Sequence, residues 1–240
     1  MDQPIKTAFF LAAGLGTRMR PLSLSTPKPL IPVNGKPLMD YLLDEAIAAG
    51  IERAVVNVHY LPQQVESHIA SKKGIEVVLS DERDELLETG GAIAKAHKTL
   101  GEDPVFIVNT DAFWLNPVGN PFHALNQAYD PDRMDDLLLL ADCERSLGYD
   151  GKGDFELLPT GQLERRGDRP STKWAFAGVR ITKPGLYKDE AIRPFSANLI
   201  WTRLLEAGRL YGLPLDGQWM HVGRPETIAE VEGWMKDHCR

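Results

Sequence analysis

A basic loop near the start of the chain carries the residue types that hold a polyphosphate. A buried strand predicted over Thr7 to Leu11 runs into a turn that contains Gly14 and Gly16, followed by Arg18 and, ten residues further on, by Lys28. Glycines let the backbone turn sharply and bring N–H donors close to an anion. Guanidinium and ammonium groups offset the charge that builds up as a phosphate leaves. The spacing therefore predicts phosphate chemistry, with Arg18 and Lys28 as its cations.

This loop matches neither of two common phosphate-binding patterns. The third glycine of a dinucleotide fingerprint is missing, and no Gly-Lys-Ser or Gly-Lys-Thr of a Walker loop follows. Two glycines after a strand also occur in plain α/β turns, so the alternative is a structural turn on which Arg18 and Lys28 are solvated surface charges.

A carboxylate stands at a second point where parallel sheets place ligand groups. Asp111 follows a predicted buried strand over Val105 to Asn109. In open parallel sheets, ligands bind beyond the carboxyl ends of the strands. Asp111 is therefore a candidate functional residue, and its alternative role is to cap a turn.

The pattern of helices and strands that must position these residues predicts an α/β fold. β-Branched runs alternate with helical patterns in the first half, which is typical of a parallel sheet with crossover helices. After Pro131 the pattern changes to strands with little helix between them. We expect a Rossmann-like three-layer sandwich with a mostly parallel central sheet. The predicted strands are Thr7 to Leu11, Arg53 to Val58, Ile75 to Ser80, Val105 to Asn109, Leu137 to Ala141, Phe155 to Leu158, Leu163 to Arg165, Trp174 to Ile181 and Trp219 to Val222; the predicted helices are Pro37 to Ala49, Pro62 to before Gly74, Ala92 to Leu100, Ser196 to Ala207 and a last one from Pro225.

Composition narrows the class of protein. The chain has 240 residues, 43% of them hydrophobic, which is enough for one domain with a large core. Its net charge of −7 argues against binding nucleic acid, which requires a basic face. Its apolar runs are shorter than the roughly 18 to 20 residues of a membrane span, and its start is unlike a signal peptide, so we expect a cytoplasmic protein without membrane contacts. The two cysteines and six histidines lack zinc-binding spacing.

The segment from Leu11 to Leu30 resembles the N-terminal signature of the sugar-1-phosphate nucleotidyltransferases, and the match continues through Pro32, Val33, Gly35, Pro37 and Leu38. The resemblance implies the fold of the nucleotide-diphospho-sugar transferases. It also implies that the loop binds a nucleoside triphosphate, that Arg18 meets the leaving pyrophosphate and that Lys28 contacts phosphate at the reaction centre. The loop residues so implicated are Leu11, Ala12, Ala13, Gly14, Gly16 and Thr17.

A second stretch, Glu88 to Gly91, is similar to the second nucleotide loop of that family, whose backbone lies against the base. The resemblance implies that Thr89, Gly90 and Gly91 bind nucleotide. A glycine pair before the helix predicted from Ala92 also suits a plain tight turn.

The family resemblance further implies a magnesium ion bound by Asp111. Mg²⁺ takes oxygen ligands and usually only one or two protein carboxylates, so a single Asp is chemically adequate. Relatives of this size carry a second aspartate in Trp-x-Asp-Val-Gly-Thr, where this chain has His221. Imidazole is a poorer partner for a hard cation. His221 could reach the metal through water, could contact a phosphate, or could be structural, and Asp216 is an alternative carboxylate.

The second half resembles the small muramyl-phosphate uridylyltransferases at two places, Gly148 to Phe155 and Phe176 to Val179. Larger family members bind the sugar phosphate through a Glu-Lys-Pro element, and Glu164-Arg165-Arg166 stands in that region here. The candidates for binding the sugar phosphate are Gly153, Glu164, Arg166 and Lys173, with Arg165 as a further one. A solvated basic hairpin is the alternative.

These resemblances predict a nucleotidyltransferase that joins UTP to N-acetylmuramate 1-phosphate in cell-wall recycling, with Mg²⁺ as cofactor. Residues 1–130 would mainly bind nucleotide and 131–224 sugar phosphate, with a C-terminal helix over 225–240, in a monomer or small homo-oligomer. One alternative is a mannose-1-phosphate guanylyltransferase, since Glu82 or Glu85 could accept hydrogen bonds from guanine. The other is a nucleotide-binding regulatory module without turnover.

Overall fold

Alternating strands and helices build an α/β fold in residues 4–239, the part of the chain that this computed structural model describes. The strands are β1 (Thr7–Leu11), β2 (Pro32–Val33), β3 (Lys36–Pro37), β4 (Arg53–Val58), β5 (Glu76–Asp81), β6 (Val105–Asn109), β7 (Ala112–Leu115), β8 (Asp136–Asp142), β9 (Phe155–Leu157), β10 (Leu163–Arg165), β11 (Trp174–Thr182), β12 (Leu210–Pro214) and β13 (Gln218–His221). The α-helices are α1 (Leu38–Ala48), α2 (Pro62–Ala70), α3 (Glu88–Leu100), α4 (Pro121–Ala128), α5 (Asn198–Glu206) and α6 (Pro225–His238).

The central sheet contains nine of these strands. Its main body has the order β5-β4-β1-β6-β11-β8-β12, and the hairpin β9–β10 joins the N-terminal end of β11. Strands β5, β4, β1 and β6 pair in parallel, as do β8 and β12, while β11 runs antiparallel between the two groups. The predicted mostly parallel sheet is thus confirmed.

Both faces of the sheet are covered, because successive side chains of a strand point to opposite faces. In β1, Phe10 packs into the core under α1, α2, α4 and α6, whereas its neighbour Phe9 packs into the core under α3 and α5. Both rings are fully buried. This confirms the predicted three-layer sandwich. No helix within residues 4–239 is long and apolar enough to cross a bilayer.

A short antiparallel ribbon, β7–β13, lies beside the carboxyl edge of the sheet. Its register pairs Ala112 with His221, and the Val222 N–H donates to the carbonyl of Asp111 at 3.0 Å. The ribbon therefore places His221 next to Asp111. Asp216 precedes the other end of β13, where Gln218 pairs with Leu115, so the ribbon separates it from Asp111.

The structure differs from the sequence prediction at several elements. Strands β2, β3, β7 and β12 and helix α4 were not predicted, and helix α3 begins at Glu88 instead of Ala92. Gly90 and Gly91 therefore lie in the first turn of a helix and not in a loop before it. The predicted α1, α2, α5 and α6 are present with ends shifted by a few residues.

Candidate active site

A cavity of about 450 Å³ opens at the carboxyl ends of β1, β4, β5 and β6. It is the place where a parallel sheet of this kind binds its ligands. The structure brings most of the predicted nucleotide-side residues together here. Those that line the cavity are Leu11, Ala13, Gly14, Gly16, Thr17, Arg18, Lys28, Thr89 and Asp111.

Close packing fixes the glycine loop against the segment that carries Lys28. Gly16 has φ of +61°, in the left-handed region, and a Cβ there would lie 3.0 Å from the Cβ of Lys28. Its carbonyl accepts a 2.7 Å hydrogen bond from the Ser23 hydroxyl. The positive φ and the short distance to Lys28 both require glycine at position 16. The loop and Lys28 are thus held as one unit.

Lys28 and Asp111 form the central charged pair of the cavity. The Lys28 Nζ lies 3.1 Å from Asp111 Oδ2, with the lysine side chain 13% exposed and the aspartate side chain 31% exposed. Burial acts to raise the pKa of Asp111, but the charges of Lys28, His221 and Arg18 outweigh it and hold the pKa below its usual range. The carboxylate is therefore ionised near neutral pH and faces the cavity that Lys28 and Arg18 also line.

The His221 ring is fixed by three neighbours. Its Nδ1 lies 3.2 Å from the carbonyl oxygen of Gly148, which can only accept, so this nitrogen carries a proton. The ring also stacks on Trp219 and meets the edge of Tyr149. These contacts leave Nε2 as the nitrogen available to a ligand. Neither His221 nor Asp216 belongs to the cavity lining, but the ribbon places His221 next to Asp111 and Asp216 at its far end.

The donor set fits a hard cation that is held jointly with phosphate. Asp111 uses Oδ2 for Lys28, and among residues 4–239 no hydrogen bond reaches its Oδ1. No group of three or more His, Cys, Asp or Glu side chains within the described chain could hold a metal by itself. Mg²⁺ commonly takes one carboxylate and completes its shell with phosphate oxygens and water, which this arrangement allows.

The second predicted nucleotide segment packs against the stretch that leads into α5. The N–H groups of Gly90 and Gly91 donate to the Phe195 carbonyl at 2.8 and 3.2 Å. A Cβ at Gly90 would lie 2.4 Å from the Phe195 ring, so the glycine permits this contact. Thr89 lines the cavity, and its Oγ1 accepts from the Ala197 N–H at 2.9 Å. Contact of this segment with a base stays a prediction.

The predicted sugar-phosphate residues lie on and beside the β9–β10 hairpin, outside the cavity lining. Glu164 binds Arg169 at 3.1 Å, and the Arg166 guanidinium donates to the Arg169 carbonyl at 3.3 Å. Lys173 lies 3.5 Å from Asp142. The Gly153 N–H donates to the Tyr149 hydroxyl at 3.2 Å. Backbone hydrogen bonds join Arg166 to Asp154 and Thr172 to Lys152, so the segments that carry Arg166, Gly153 and Lys173 adjoin one another. Their role in binding a sugar phosphate stays a prediction.

The hairpin nevertheless lies at the same edge of the sheet as the cavity. In β11, Val179 pairs with Val108 near the end of β6, and Trp174, five residues earlier, pairs with Phe155 of the hairpin. Because β11 runs antiparallel to β6, these five residues extend beyond the carboxyl end of β6. The hairpin is thus placed to meet a ligand that projects from the cavity.

Sequence reasoning missed one buried site residue, Asn57 of β4. Its Oδ1 accepts hydrogen bonds from the N–H groups of Ala12 and Ala13, at 2.6 and 3.1 Å. Its Nδ2 donates to Glu82 at 2.8 Å. A signal was present, because Asn57 is the one polar side chain in the otherwise apolar run from Ala54 to Val58.

The fold and this cavity define a class of enzymes that transfer nucleotidyl groups to phosphate acceptors. The chain belongs to the nucleotidyl transferase family, whose model matches residues 7–134. It is 44% identical over 236 residues to the N-acetylmuramate alpha-1-phosphate uridylyltransferase of Caulobacter vibrioides, an alignment that covers 97% of this chain and 98% of the relative. It is thus a sugar-1-phosphate nucleotidyltransferase.

More distant similarities agree with this class. The catalytic subunit beta of mannose-1-phosphate guanylyltransferase from Xenopus tropicalis is 28% identical over 92% of this chain, which spans only 62% of that longer relative. Among solved structures, a UDP-glucose pyrophosphorylase complexed with UDP-glucose superposes with a TM-score of 0.78 at 19% identity, covering 97% of this chain and 99% of that one. The inositol-1-phosphate CTP transferase of T. maritima gives 0.78 at 17% identity, covering 98% and 96%. Both structures confirm the fold.

Proposed function

We propose that this enzyme joins UTP to N-acetylmuramate 1-phosphate, releasing pyrophosphate, and that it serves cell-wall recycling. The observation that carries the choice of substrates is the 44% identity over nearly the full length of both chains to a protein named for that reaction. The guanylyltransferase relatives share less identity, and this chain spans about three fifths of their length.

The proposed reaction divides the molecule by substrate. Residues 1–130 supply the cavity lining except for Ser196 and Gly223, and would mainly bind the nucleotide. Residues 131–224 supply the hairpin that would mainly bind the sugar phosphate. The last helix would complete the domain. Support comes from the placement of the hairpin beside the cavity at one edge of the sheet.

In this proposal a phosphate oxygen of the sugar 1-phosphate attacks the α-phosphorus of the triphosphate, and the bond to the β-phosphate breaks. The second pKa of a phosphate monoester is near 6, so the nucleophile is already mostly dianionic at neutral pH. A protein base is then unnecessary. Catalysis depends on positioning the two substrates and on offsetting their charge.

Arg18 and Lys28 are the cations proposed for this purpose. Lys28 would contact the phosphate at the reaction centre, because it is held beside the glycine loop and aimed at the cavity. Arg18 lines the same cavity with an exposed side chain, and among residues 4–239 it has no ion-pair partner within 4 Å. It would meet the pyrophosphate as it leaves.

Asp111 would hold the Mg²⁺ ion of the reaction through its free carboxylate oxygen. When bound, this ion would neutralise phosphate charge and polarise the phosphoryl oxygens. His221 would contact a metal-bound water or a phosphate oxygen through Nε2, since its Nδ1 is engaged by Gly148. Its ring position next to Asp111 supports either contact.

The geometry gives less support to a guanine-reading carboxylate. Glu82 is fully buried, and its two carboxylate oxygens already accept from Asn57 and from the Leu87 N–H. Glu85 is exposed and does not line the cavity. Glu82 has both carboxylate oxygens engaged and Glu85 lies outside the cavity lining, which favours the uridylyltransferase proposal over the guanylyltransferase alternative.

The test is a matrix of UTP, GTP, dTTP and CTP against N-acetylmuramate 1-phosphate, N-acetylglucosamine 1-phosphate and mannose 1-phosphate, with Mg²⁺, scored for pyrophosphate release. We expect the highest kcat/KM for UTP with N-acetylmuramate 1-phosphate. A preference for GTP with mannose 1-phosphate would replace the proposal by the alternative. Binding of triphosphate without release from any pair would support the regulatory interpretation.

We also propose a cytoplasmic location, and a monomer or small homo-oligomer that acts on small molecules and not on nucleic acid or membranes. The acidic net charge supports the absence of a nucleic-acid partner. Cell fractionation and light scattering of the purified protein test location and assembly.

A further inference from the structure

A buried pair of polar side chains connects the glycine loop to the start of α3. Asn57 is 3% exposed and Glu82 is fully buried, and they lie just before and just after the carboxyl ends of β4 and β5. We infer that this pair is a positioning unit for catalysis, which fixes the triphosphate loop relative to the second nucleotide segment. The inference rests on the proposed function, since it assigns a task within the same site.

The Asn57 end of the pair holds the glycine loop. Its Oδ1 accepts from two successive backbone donors, Ala12 and Ala13, directly before Gly14. Two N–H groups on one oxygen fix both the direction of the backbone and the direction of the amide. The Asn57 Nδ2 then has to point away from the loop, where it meets the Glu82 carboxylate at 2.8 Å.

The Glu82 end holds the entry to α3. Its Oε1 accepts from Asn57, and its Oε2 accepts from the Leu87 N–H at 3.3 Å, directly before Glu88 and Thr89. The Glu82 carbonyl is anchored as well, by His59 Nδ1 at 2.6 Å. Burial raises the pKa of Glu82, while the hydrogen bonds from Asn57 and Leu87 act to lower it.

The chain of hydrogen bonds therefore runs from Ala12 and Ala13 through Asn57 and Glu82 to Leu87. Each member has a fixed role as donor or acceptor, so the chain has only one arrangement that satisfies every group. A displacement of either segment costs a buried hydrogen bond. The pair would thereby keep the distance between the Lys28 side and the Thr89 side of the cavity constant before substrate binds.

The fixed roles of donor and acceptor can be tested by exchanging the amide of Asn57 and the carboxylate of Glu82. Asn57→Asp alone places two carboxylate oxygens against each other. In Glu82→Gln alone, the introduced amide must point its N–H donors at another donor, either Asn57 Nδ2 or the Leu87 N–H. The double variant Asn57→Asp with Glu82→Gln restores all four hydrogen bonds, because the introduced amide N–H donates to the new carboxylate while the introduced amide oxygen still accepts from Leu87.

The readouts are the Kd of the triphosphate that the parent binds best, measured by calorimetry, the KM and kcat of pyrophosphate release, and Tm. We expect each single variant to weaken triphosphate binding by about tenfold to a hundredfold. We expect the double variant to return to within about threefold of the parent. Asn126→Asp is the matched control, since Asn126 also accepts a backbone hydrogen bond, from Ile5, but lies away from the cavity.

The outcomes separate this inference from the proposed function. Single variants that lose Tm but bind triphosphate like the parent would show a purely structural pair and overturn the inference. A double variant that binds no better than the weaker single variant would overturn it too. The identity of the preferred triphosphate in the parent bears only on the proposed function.

Discussion

Two ion pairs occupy different regions of the sheet, and their surroundings differ. Lys28 and Asp111 meet at the cavity, where the side chains are 13% and 31% exposed. Arg180 and Asp136 meet between β11 and β8, where the side chains are 2% and 0% exposed. In both pairs the carboxylate stands at a strand end, because Asp111 follows β6 and Asp136 begins β8, so the difference lies in what else binds each group.

The carboxylate of the interior pair is surrounded by donors. The Asp136 carboxylate accepts from Arg180, from the Thr182 hydroxyl and from the Trp201 indole N–H. The Arg180 guanidinium also donates to the Tyr187 hydroxyl at 2.9 Å. Neither residue lines the cavity of the candidate active site, and both side chains are buried, so this pair serves the fold.

The cavity pair is unsaturated. The Lys28 ammonium has three protons and a single protein acceptor among residues 4–239, and Asp111 keeps one oxygen free there. Unused donors and acceptors that point into a cavity are the condition for binding a ligand. An ion pair is therefore assigned to chemistry when its unused donors and acceptors face a cavity, and to stability when they do not.

The largest expected effect comes from breaking the interior pair. Arg180→Met leaves Asp136 buried without its cation, and removing one partner of a buried pair costs about 3 to 5 kcal/mol. We expect this loss in the free energy of unfolding in urea at pH 7, and unchanged kcat for the fraction that stays folded. A variant as stable as the parent but with lower kcat would reverse the assignment.

The cavity pair should show the opposite behaviour. Lys28→Ala removes a positioned charge, which commonly costs about 3 to 4 kcal/mol of activation free energy, or a hundredfold to a thousandfold in kcat. We expect this loss in a pyrophosphate-release assay, together with a small change in Tm. Lys36→Ala is the matched control, because Lys36 forms an exposed ion pair with Asp44 away from the cavity. Parental turnover of Lys28→Ala would contradict the role of Lys28.

The same contrast explains what could be predicted from the sequence. Lys28 and Asp111 were found because chemistry-bearing residues stood after predicted strands, and strand ends are readable from apolar runs. Arg180 lies inside such a run, from Trp174 to Ile181, and the sequence does not predict that Asp136 is its partner. Local patterns predict which strand end a residue occupies, whereas pairing between distant strands depends on register.

The missed elements have local reasons. The signal for α4 was present in Asn120 and Pro121, since the Asn120 side chain caps the helix by accepting from two N–H groups. Strand β7 is four residues long and begins directly after Asp111, so its apolar run is too short to be assigned from the sequence alone. The first turn of α3 was missed because Gly90 and Gly91 disfavour helix, and packing against Phe195 overrides that preference.

A smaller effect is expected at the acceptor hairpin. Arg166 is partly exposed and donates to the Arg169 carbonyl, so it has donors left for a phosphate. If it contacts the sugar phosphate, Arg166→Ala should raise the KM of the sugar 1-phosphate by about tenfold, with the KM of the triphosphate unchanged. Arg169→Ala is the control, since Arg169 is already bound to Glu164. Equal KM values in both variants would favour the solvated hairpin.

The smallest effect is expected at Asp135, which directly precedes Asp136 in the chain and forms ion pairs with Arg209 and Lys183. Asp135 accepts from Arg209 Nε at 2.6 Å and from Lys183 at 2.7 Å, near the surface. Burial acts to raise the pKa of Asp135, but these two partners outweigh it and hold the pKa below its usual range. A pair of this exposure contributes about 1 kcal/mol at most, so Asp135→Asn should lower the free energy of unfolding by about that amount at pH 7.

The sign of its pH dependence follows from the lowered pKa. The stabilisation is complete above the pKa of an unfolded aspartate, about 4, and disappears as the pH falls through the lower pKa of the folded state. Urea unfolding of parent and Asp135→Asn at pH 7, 5, 4 and 3 should therefore give two stability curves that converge at the acid end. A difference that stays constant down to pH 3 would show that Asp135 contributes through packing and not through its charge. Convergence would show that Asp135 stabilises the fold through its charge. Its contribution is smaller than that expected for the pair of Arg180 and Asp136, because its partners are more exposed.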